Sequence, residues 1–311
     1  MATMLSTPPR SPPSLPPPSP SSSPTSKFFI RSFPTFNFNS YSTSIISQIN
    51  HHLTTILPTH NYPQSLHNSM QNSVLNLNLN LNLNSNDHHF LPILTIASCE
   101  LVGGDRNTAI PTACAMEIAH AASHLSENQF SRSSSKYDQG MAVLTGEALF
   151  SRSLECVARF TPLDLVQDLI VQQVVSEISE CFGSIGVAGG KSMNVSCEEE
   201  MVWMLKRKFG SMTECSAVCG GLIGGAGEDV LKSLRKYGMA VGIWKQVISE
   251  IKLGFDKERI DLKLLRVVGM ERAMEMEEEF MKEAMRELEK LEEEYGERVV
   301  PLHCMLEMKD N

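Results

Sequence analysis

The sequence predicts an all-α bundle behind a disordered N-terminal leader. Three observations carry that expectation. After Phe90 the apolar content rises and stays high, and in the last long segment, Met270–Tyr295, it recurs at three- and four-residue steps, the signature of a helix with one buried face. The core-forming residues are mainly Leu, Ala, Val and Met, with 17 Met against only 6% aromatics, which suits packed helices better than sheets. The third is an N-terminal stretch with no Asp or Glu before Asp87 and abundant Ser, Thr and Pro.

Residues 1–39 form the leader. It carries Arg10, Lys27 and Arg31 among hydroxyl residues and prolines, the composition of an organelle transit peptide. A secretory signal would need a continuous apolar segment, which this stretch lacks. A plain disordered Pro/Ser tail is the alternative reading. Cleavage is expected near Phe36 to Tyr41. Residues 40–89 are expected to hold degenerate N-terminal helices and a low-complexity insert. A first helix is predicted over Tyr41–Leu57, stopping before Pro58. The Asn/Leu alternation of Leu75–Asn84 has a strand's period, but Asn is a poor strand former, so it reads as the insert.

Residues 90–308 are the main helical domain. Helices are predicted over Leu91–Leu101, Thr108–Leu125, Gln139–Ala158, Leu163–Phe182, Glu198–Ile223, Gly227–Ile251 and Met270–Tyr295. Gly103-Gly104 and Gly224-Gly225 mark turns. Asp164 after Thr161-Pro162 suits a helix start. In the last helix Met270, Met274, Met281, Ala284, Leu288, Leu291 and Tyr295 share one face, which leaves Glu277–Glu279 and Glu292–Glu294 mostly in water.

A net charge of −9 argues against nucleic acid, which needs a basic face. No apolar run approaches the ~18–20 residues that span a bilayer. The eight Cys show neither CxxC nor a Cys/His zinc spacing, so they read as small core residues in a reducing compartment.

Several segments carry a resemblance. Cys99-Glu100-Leu101-Val102-Gly103-Gly104-Asp105-Arg106, Pro111-Thr112-Ala113-Cys114-Ala115-Met116-Glu117 and the segment Gly140–Phe150 are similar to plant geranylgeranyl diphosphate synthases. The block Phe209–Ala226, running into Leu234-Arg235-Lys236-Tyr237-Gly238-Met239-Ala240-Val241-Gly242, resembles the non-catalytic small subunits of plastid heterodimeric synthases. The resemblance covers about Tyr41 to Glu307 and implies an isoprenoid-synthase-type helical bundle. It further implies chloroplast localisation in the plastid stroma and a geranylgeranyl diphosphate synthase large subunit as partner.

The departures from that family matter chemically. Its enzymes hold Mg²⁺ between two helices with DDxxD carboxylates, and the metal neutralises the departing pyrophosphate. At the first motif this chain reads His124-Leu125-Ser126-Glu127-Asn128-Gln129, and at the second Gln246-Val247-Ile248-Ser249-Glu250-Ile251. Only Glu127 and Glu250 remain acidic, beside neutral Asn128 and Ser249. One carboxylate per helix is a poor cage for Mg²⁺, so no metal site, no catalytic residue and no bound cofactor are expected here; Mg²⁺ would belong to the large subunit. On the isopentenyl diphosphate side, the resemblance leaves Lys208 of a Lys-Thr pair as a residual diphosphate-binding residue, and Gly190-Lys191…Asn194 where a Gly-Gln…Asp motif belongs.

Cys215 and Cys219 form CxxxC, a motif that the resemblance associates with binding the large subunit. In an earlier copy Thr95 replaces the first cysteine and only Cys99 remains. A Cys215–Cys219 disulfide is not expected, because Cα atoms at i, i+4 lie ~6 Å apart with poorly aligned side chains. The proposed role is close helix approach by small residues, either against a partner or within the subunit. Asp164 and Asp168 read as helix-start carboxylates. His120 and His124 lie i, i+4 as zinc ligands can, but read as a core and rim pair for want of a third ligand at a known spacing. Gly183–Gly190 lacks the preceding strand of a phosphate loop.

The implied function is a regulatory subunit that modulates a partner synthase. Two alternatives stay open: a weakly active prenyltransferase using Glu127 and Glu250 as minimal metal ligands, and a helical interaction scaffold.

Overall fold

The computed structural model describes residues 36–57, 63–75, 89–128, 139–255 and 262–307, and all its elements among these residues are helical. The insert predicted after Leu75 and nearly all of the leader lie outside the described residues.

Helix α1 spans Phe38–Ile56 and starts where Asn37 accepts a hydrogen bond from the Ser40 amide at 3.0 Å, a side-chain N-cap. A boundary at residue 39 therefore cuts the first turn of α1. Phe36, Phe38 and Tyr41 also stack on one another, with ring centroids 5.4–6.5 Å apart. The Tyr41 hydroxyl donates to Glu100 at 2.6 Å, and Arg106 reaches the same carboxylate at 2.6 Å while lying over the Tyr41 ring. The folded part thus begins by Phe36, at the upstream end of the predicted cleavage window. Helix α2, Gln64–Leu75, has no counterpart among the predicted helices. Its mostly polar sequence hides a narrow face, where buried Ser69 accepts from Thr145 at 2.8 Å.

Helices α3 (Phe90–Leu101), α4 (Arg106–Asn128) and α5 (Gln139–Phe160) match the predicted segments within two or three residues. Gly103, at φ 87°, makes the turn between α3 and α4. Helix α6, Asp168–Phe182, starts five residues later than expected. Asp164 therefore sits in the preceding turn and caps nothing, while Asp168 occupies the first turn of α6, where the helix dipole favours a carboxylate. A short α7, Val187–Ser192, follows.

The long helix predicted over Glu198–Ile223 is divided. Helix α8 (Glu198–Leu205) passes through a π-helical turn, Lys206–Gly210, into α9 (Ser211–Gly224). Such turns insert a residue and often mark functional positions. Helix α9 is the centre of the bundle: every residue from Cys215 to Ile223 is buried, and α3, α4, α6 and α10 (Glu228–Phe255) pack around it. Gly225, at φ 84°, ends it, with the Ala226 amide returning to the Gly221 carbonyl at 2.9 Å.

Helix α11 covers Lys263–Tyr295 but breaks at Gly269, φ 80° and ψ 167°, so its long arm begins at the predicted Met270. A second core between α8, α10 and α11 contains Met201, Met204, Ile243, Val247, Leu264 and Met276. Unbranched thioethers fill irregular gaps between helices that cross at different angles, which accounts for the Met-rich composition. After a 3-10 turn, helix α12 (Val300–Glu307) is buried along Val300–Leu306 and receives the Tyr237 hydroxyl on the Leu302 carbonyl at 2.8 Å.

Candidate functional site

The two degenerate motifs lie near the C-terminal end of α4 and on the second half of α10. Glu127 and Asn128 form the last helical residues of α4; the placement of their side chains lies outside the described residues. One and two turns earlier, His124 and His120 face each other with their Nε2 atoms 2.9 Å apart and ring centroids at 4.5 Å. Both are half-buried, so neither is the core member that the sequence suggested. Further up the same helix, buried Glu117 lies 3.1 Å from Nδ1 of His89, whose left-handed backbone (φ 62°) opens α3. Burial depresses the His89 pKa, but the hydrogen bond and charge of Glu117 raise it by more, so the net shift is upward. The stability from this pair is complete below about pH 6.5 and is lost as pH rises through the elevated folded value. Next to it, the Lys245 ammonium of α10 lies 4.4 Å from the Phe90 ring centroid.

Glu250 is only 8% exposed, and both its oxygens are engaged. Oε1 accepts from Gln246 Nε2 at 3.0 Å, and Oε2 accepts from the Leu264 backbone amide at 2.9 Å. Leu264 stands in the first turn of α11, whose own N-cap residue, Leu262, offers no side-chain acceptor. Glu250 is therefore a cap supplied by one helix to the next. It satisfies an amide that helix geometry leaves without a partner and puts a negative charge at the positive end of α11. A carboxylate held on both sides in this way, with neutral Ser249 beside it, does not fit an octahedral Mg²⁺ site.

Lys208 lies in the π-helical turn, half-buried, its Nζ 4.9 Å from the Phe209 ring centroid. Gly190 packs against this turn so closely that a Cβ would lie 2.9 Å from the Lys208 amide nitrogen. The neighbouring Lys191 donates to the Ser123 carbonyl of α4. The residues at the lost Gly-Gln motif thus tie α7 to the first-motif helix.

The cysteine motifs are packed inside the chain. Cys99, Cys215 and Cys219 are at most 2% exposed. Cys215 Sγ lies 3.7 Å from Cys219 Sγ and 3.8 Å from Met116 Sδ. The small-residue face beside them is filled by α3 of the same chain. A Cβ on Gly220 would sit 2.1 Å from the Thr95 carbonyl oxygen, and one on Gly224 2.8 Å from that of Cys99. The two motif copies therefore face each other within the subunit. Burial raises the Cys99 pKa to about 12; at Cys215 a hydrogen bond with Cys181 pulls the pKa down, but the hydrogen bond with Cys219 and burial raise it by more, well above the usual thiol range, so both stay protonated. Replacing Cys215 and Cys219 together by Ser is expected to cost the chain's own fold about 1–3 kcal/mol, the penalty for burying hydroxyls in an apolar site. Urea unfolding of the isolated chain measures it, and an unchanged midpoint would contradict the packing role.

The periodicity missed one polar brace. Arg235 of α10 donates to Glu177 of α6 and Glu214 of α9, each at 2.6 Å. Burial raises the Glu214 pKa by more than Arg235 lowers it. These partners are 58 and 21 positions away, so no local spacing announces the triad. Among the described residues, no group of three or more His, Cys, Asp or Glu side chains is placed to hold a metal ion, and no helix is long and apolar enough to cross a membrane.

No family model matches the chain. Among curated proteins it is 36% identical, over 287 residues, to the chloroplastic heterodimeric geranylgeranyl pyrophosphate synthase small subunit of Arabidopsis thaliana, covering 88% of this chain and 83% of that one. It is 29% identical to large subunit 1 of the same heterodimeric enzyme, over 82% of this chain and 74% of the relative. Solved structures with the same fold include the geranyl diphosphate synthase small subunit of Antirrhinum majus, with TM-score 0.69, 24% identity, and coverage of 88% and 100% of the two chains. A mint heterotetrameric geranyl pyrophosphate synthase matches with TM-score 0.67 and 22% identity over 86% and 99%. The small-subunit relative, nearly full-length at 36% identity, decides the assignment: the chain belongs to the family of heterodimeric geranylgeranyl pyrophosphate synthase small subunits, within the trans-prenyltransferases.

Proposed function

We propose that this chain is a catalytically silent subunit that docks on an active prenyl diphosphate synthase in the plastid stroma and sets its output or product length. The observation that carries the silent part is Glu250. The one acid kept at the second motif spends both oxygens on Gln246 and on the first turn of α11. Magnesium then belongs to the partner, whose own carboxylates supply the cation that pyrophosphate departure requires. Lys208 remains here as a residual diphosphate contact.

The partner is a geranylgeranyl diphosphate synthase large subunit, as the names of the small-subunit relative and the heterotetrameric enzyme suggest. An apolar surface supports docking. Phe160, Leu163, Leu165 and Leu169, at the junction of α5 and α6, are 41%, 56%, 67% and 60% exposed. Apolar clusters of this kind mark interaction sites. A partner seated there bears on α5 and α6, and through α6 on the central helix α9. Small helix shifts at subunit interfaces are a common way to change a neighbouring cavity.

The test uses isopentenyl diphosphate, an allylic diphosphate and Mg²⁺. The chain alone is expected to give no prenyl transfer above a protein-free control. Mixed with a large subunit, it is expected to co-elute with it and to change the yield or the ratio of ten- to twenty-carbon products. Prenyl transfer by the chain alone would overturn the silent-subunit reading.

A further inference from the structure

We propose that Ser196 is a phosphorylation site, modified by a serine kinase with a basic substrate groove. The residue is exposed and lies in the irregular segment 193–197 between α7 and α8. Glu198, Glu199 and Glu200 follow it by two, three and four positions. A kinase with Lys and Arg along its groove selects acids at such positions, because complementary charge decides which segments dock. The pattern occurs more than once in the chain, and the fold separates the copies. Among the described residues an acid stands three positions after Thr161, Ser196 and Ser211. Thr161 is only 3% exposed. Ser211 is half-buried at the start of α9, and its hydroxyl donates to the Arg207 carbonyl at 2.6 Å. Of these three, only Ser196 combines exposure with a non-helical backbone.

A kinase must draw the segment into an extended form, and little opposes that here. The Ser196 hydroxyl and amide donate to Glu200 Oε2 at 2.7 and 2.8 Å, exposed bonds that water can replace. Cys197, the N-cap of the eight-residue α8, makes no capping side-chain bond, so the first turn has little to hold it. In the transfer, the Ser196 oxygen bonds to the γ-phosphorus of a magnesium-bound nucleoside triphosphate. The bond from that phosphorus to the β-phosphate oxygen breaks, the nucleoside diphosphate leaves, and the hydroxyl proton passes to the aspartate of the kinase. The phosphoserine carries about −1.5 to −2 charge at pH 7. It has lost the proton that Glu200 accepted and sets like charge beside that carboxylate, so it breaks the tie at the head of α8. That helix runs directly into the π-helical turn that holds Lys208.

The test incubates the full chain with magnesium ATP and a purified serine kinase that requires an acid three positions after its target. Peptide mass spectrometry reads the modified residue. The leader offers no site of this kind, since no Asp or Glu precedes Asp87. A synthetic peptide of residues 190–203 serves as the control for kinase activity. Phosphate is expected on Ser196 of the folded chain. Glu199→Gln, at an exposed position, should slow that labelling by about tenfold or more, with an unchanged circular dichroism spectrum. A kinase directed by arginine should leave Ser196 unmodified. Absence of phosphate on Ser196 in the chain, whether or not the peptide is labelled, would overturn the proposal. So would an unchanged rate in Glu199→Gln, or equal labelling by the arginine-directed kinase. The measurement uses the chain alone, so its outcome is independent of partner docking.

Discussion

Gly220→Ala should destabilise this chain by about 3 kcal/mol or more, although glycine-to-alanine inside a helix ordinarily gains about 1 kcal/mol. The reversal comes from the contact between α3 and α9. An alanine Cβ at 220 would stand 2.1 Å from the Thr95 carbonyl oxygen, 2.9 Å from its carbon and 3.0 Å from Ser98 Cβ. Two of these are backbone atoms in a buried helix and cannot rotate away, so α3 and α9 must separate. α9 touches α3, α4, α6 and α10, so the displacement propagates through the bundle. A loss of this size is a large part of the ~5–15 kcal/mol that holds a domain folded. The control is Gly227→Ala, where a Cβ meets nothing within 4 Å and the backbone needs no positive φ. Urea denaturation of both variants should show a large fall in midpoint for the first and little change for the second. A neutral or stabilising Gly220→Ala would refute the close approach of the two helices.

The second large effect separates a structural carboxylate from a metal ligand. Glu250→Ala should cost about 1–3 kcal/mol, because it leaves the buried Leu264 amide and the Gln246 side chain without their acceptor. Glu250→Gln keeps a carbonyl oxygen at the same reach and should lose less than half as much. A metal-ligand role predicts another pattern: either change would remove the ligand, and neither would disturb the metal-free chain. Equal losses for Ala and Gln in thermal and urea unfolding, or none for either, would remove the capping account and reopen Glu250 as a weak metal ligand.

The helical segments were legible because each needs only a local pattern. The apolar steps from Met281 to Leu291 place a buried face without reference to any other helix. The glycine pairs at 103–104 and 224–225 signalled real turns because a positive φ is a property of one residue. The polar helix α2 escaped because its apolar face is short, Met70 and Val74 among buried Ser69 and Ser73, and Ser69 meets Thr145 only across 76 residues. The π-helical turn at Lys206–Gly210 escaped too, for its residues are helix-compatible and the bulge accompanies tight packing of Gly190 and Gly210 against their neighbours.

Within the candidate site, the loss of the carboxylate clusters could be read from residue identity alone, since a missing charge needs no geometry to be missing. The fate of what remained could not. Whether Glu250 faces a metal or caps a helix depends on α11 arriving 14 residues later with an open amide. Whether Cys215 and Cys219 meet a partner or a neighbour depends on α3 lying against Gly220. The sequence by itself determined a helical bundle, because periodicity and composition act locally, while its motifs carried the resemblance to prenyltransferases and the loss of their magnesium carboxylates. Tertiary structure alone decided which side chains are already satisfied inside the chain, because hydrogen bonds and close contacts belong to pairs of groups that only the fold brings together.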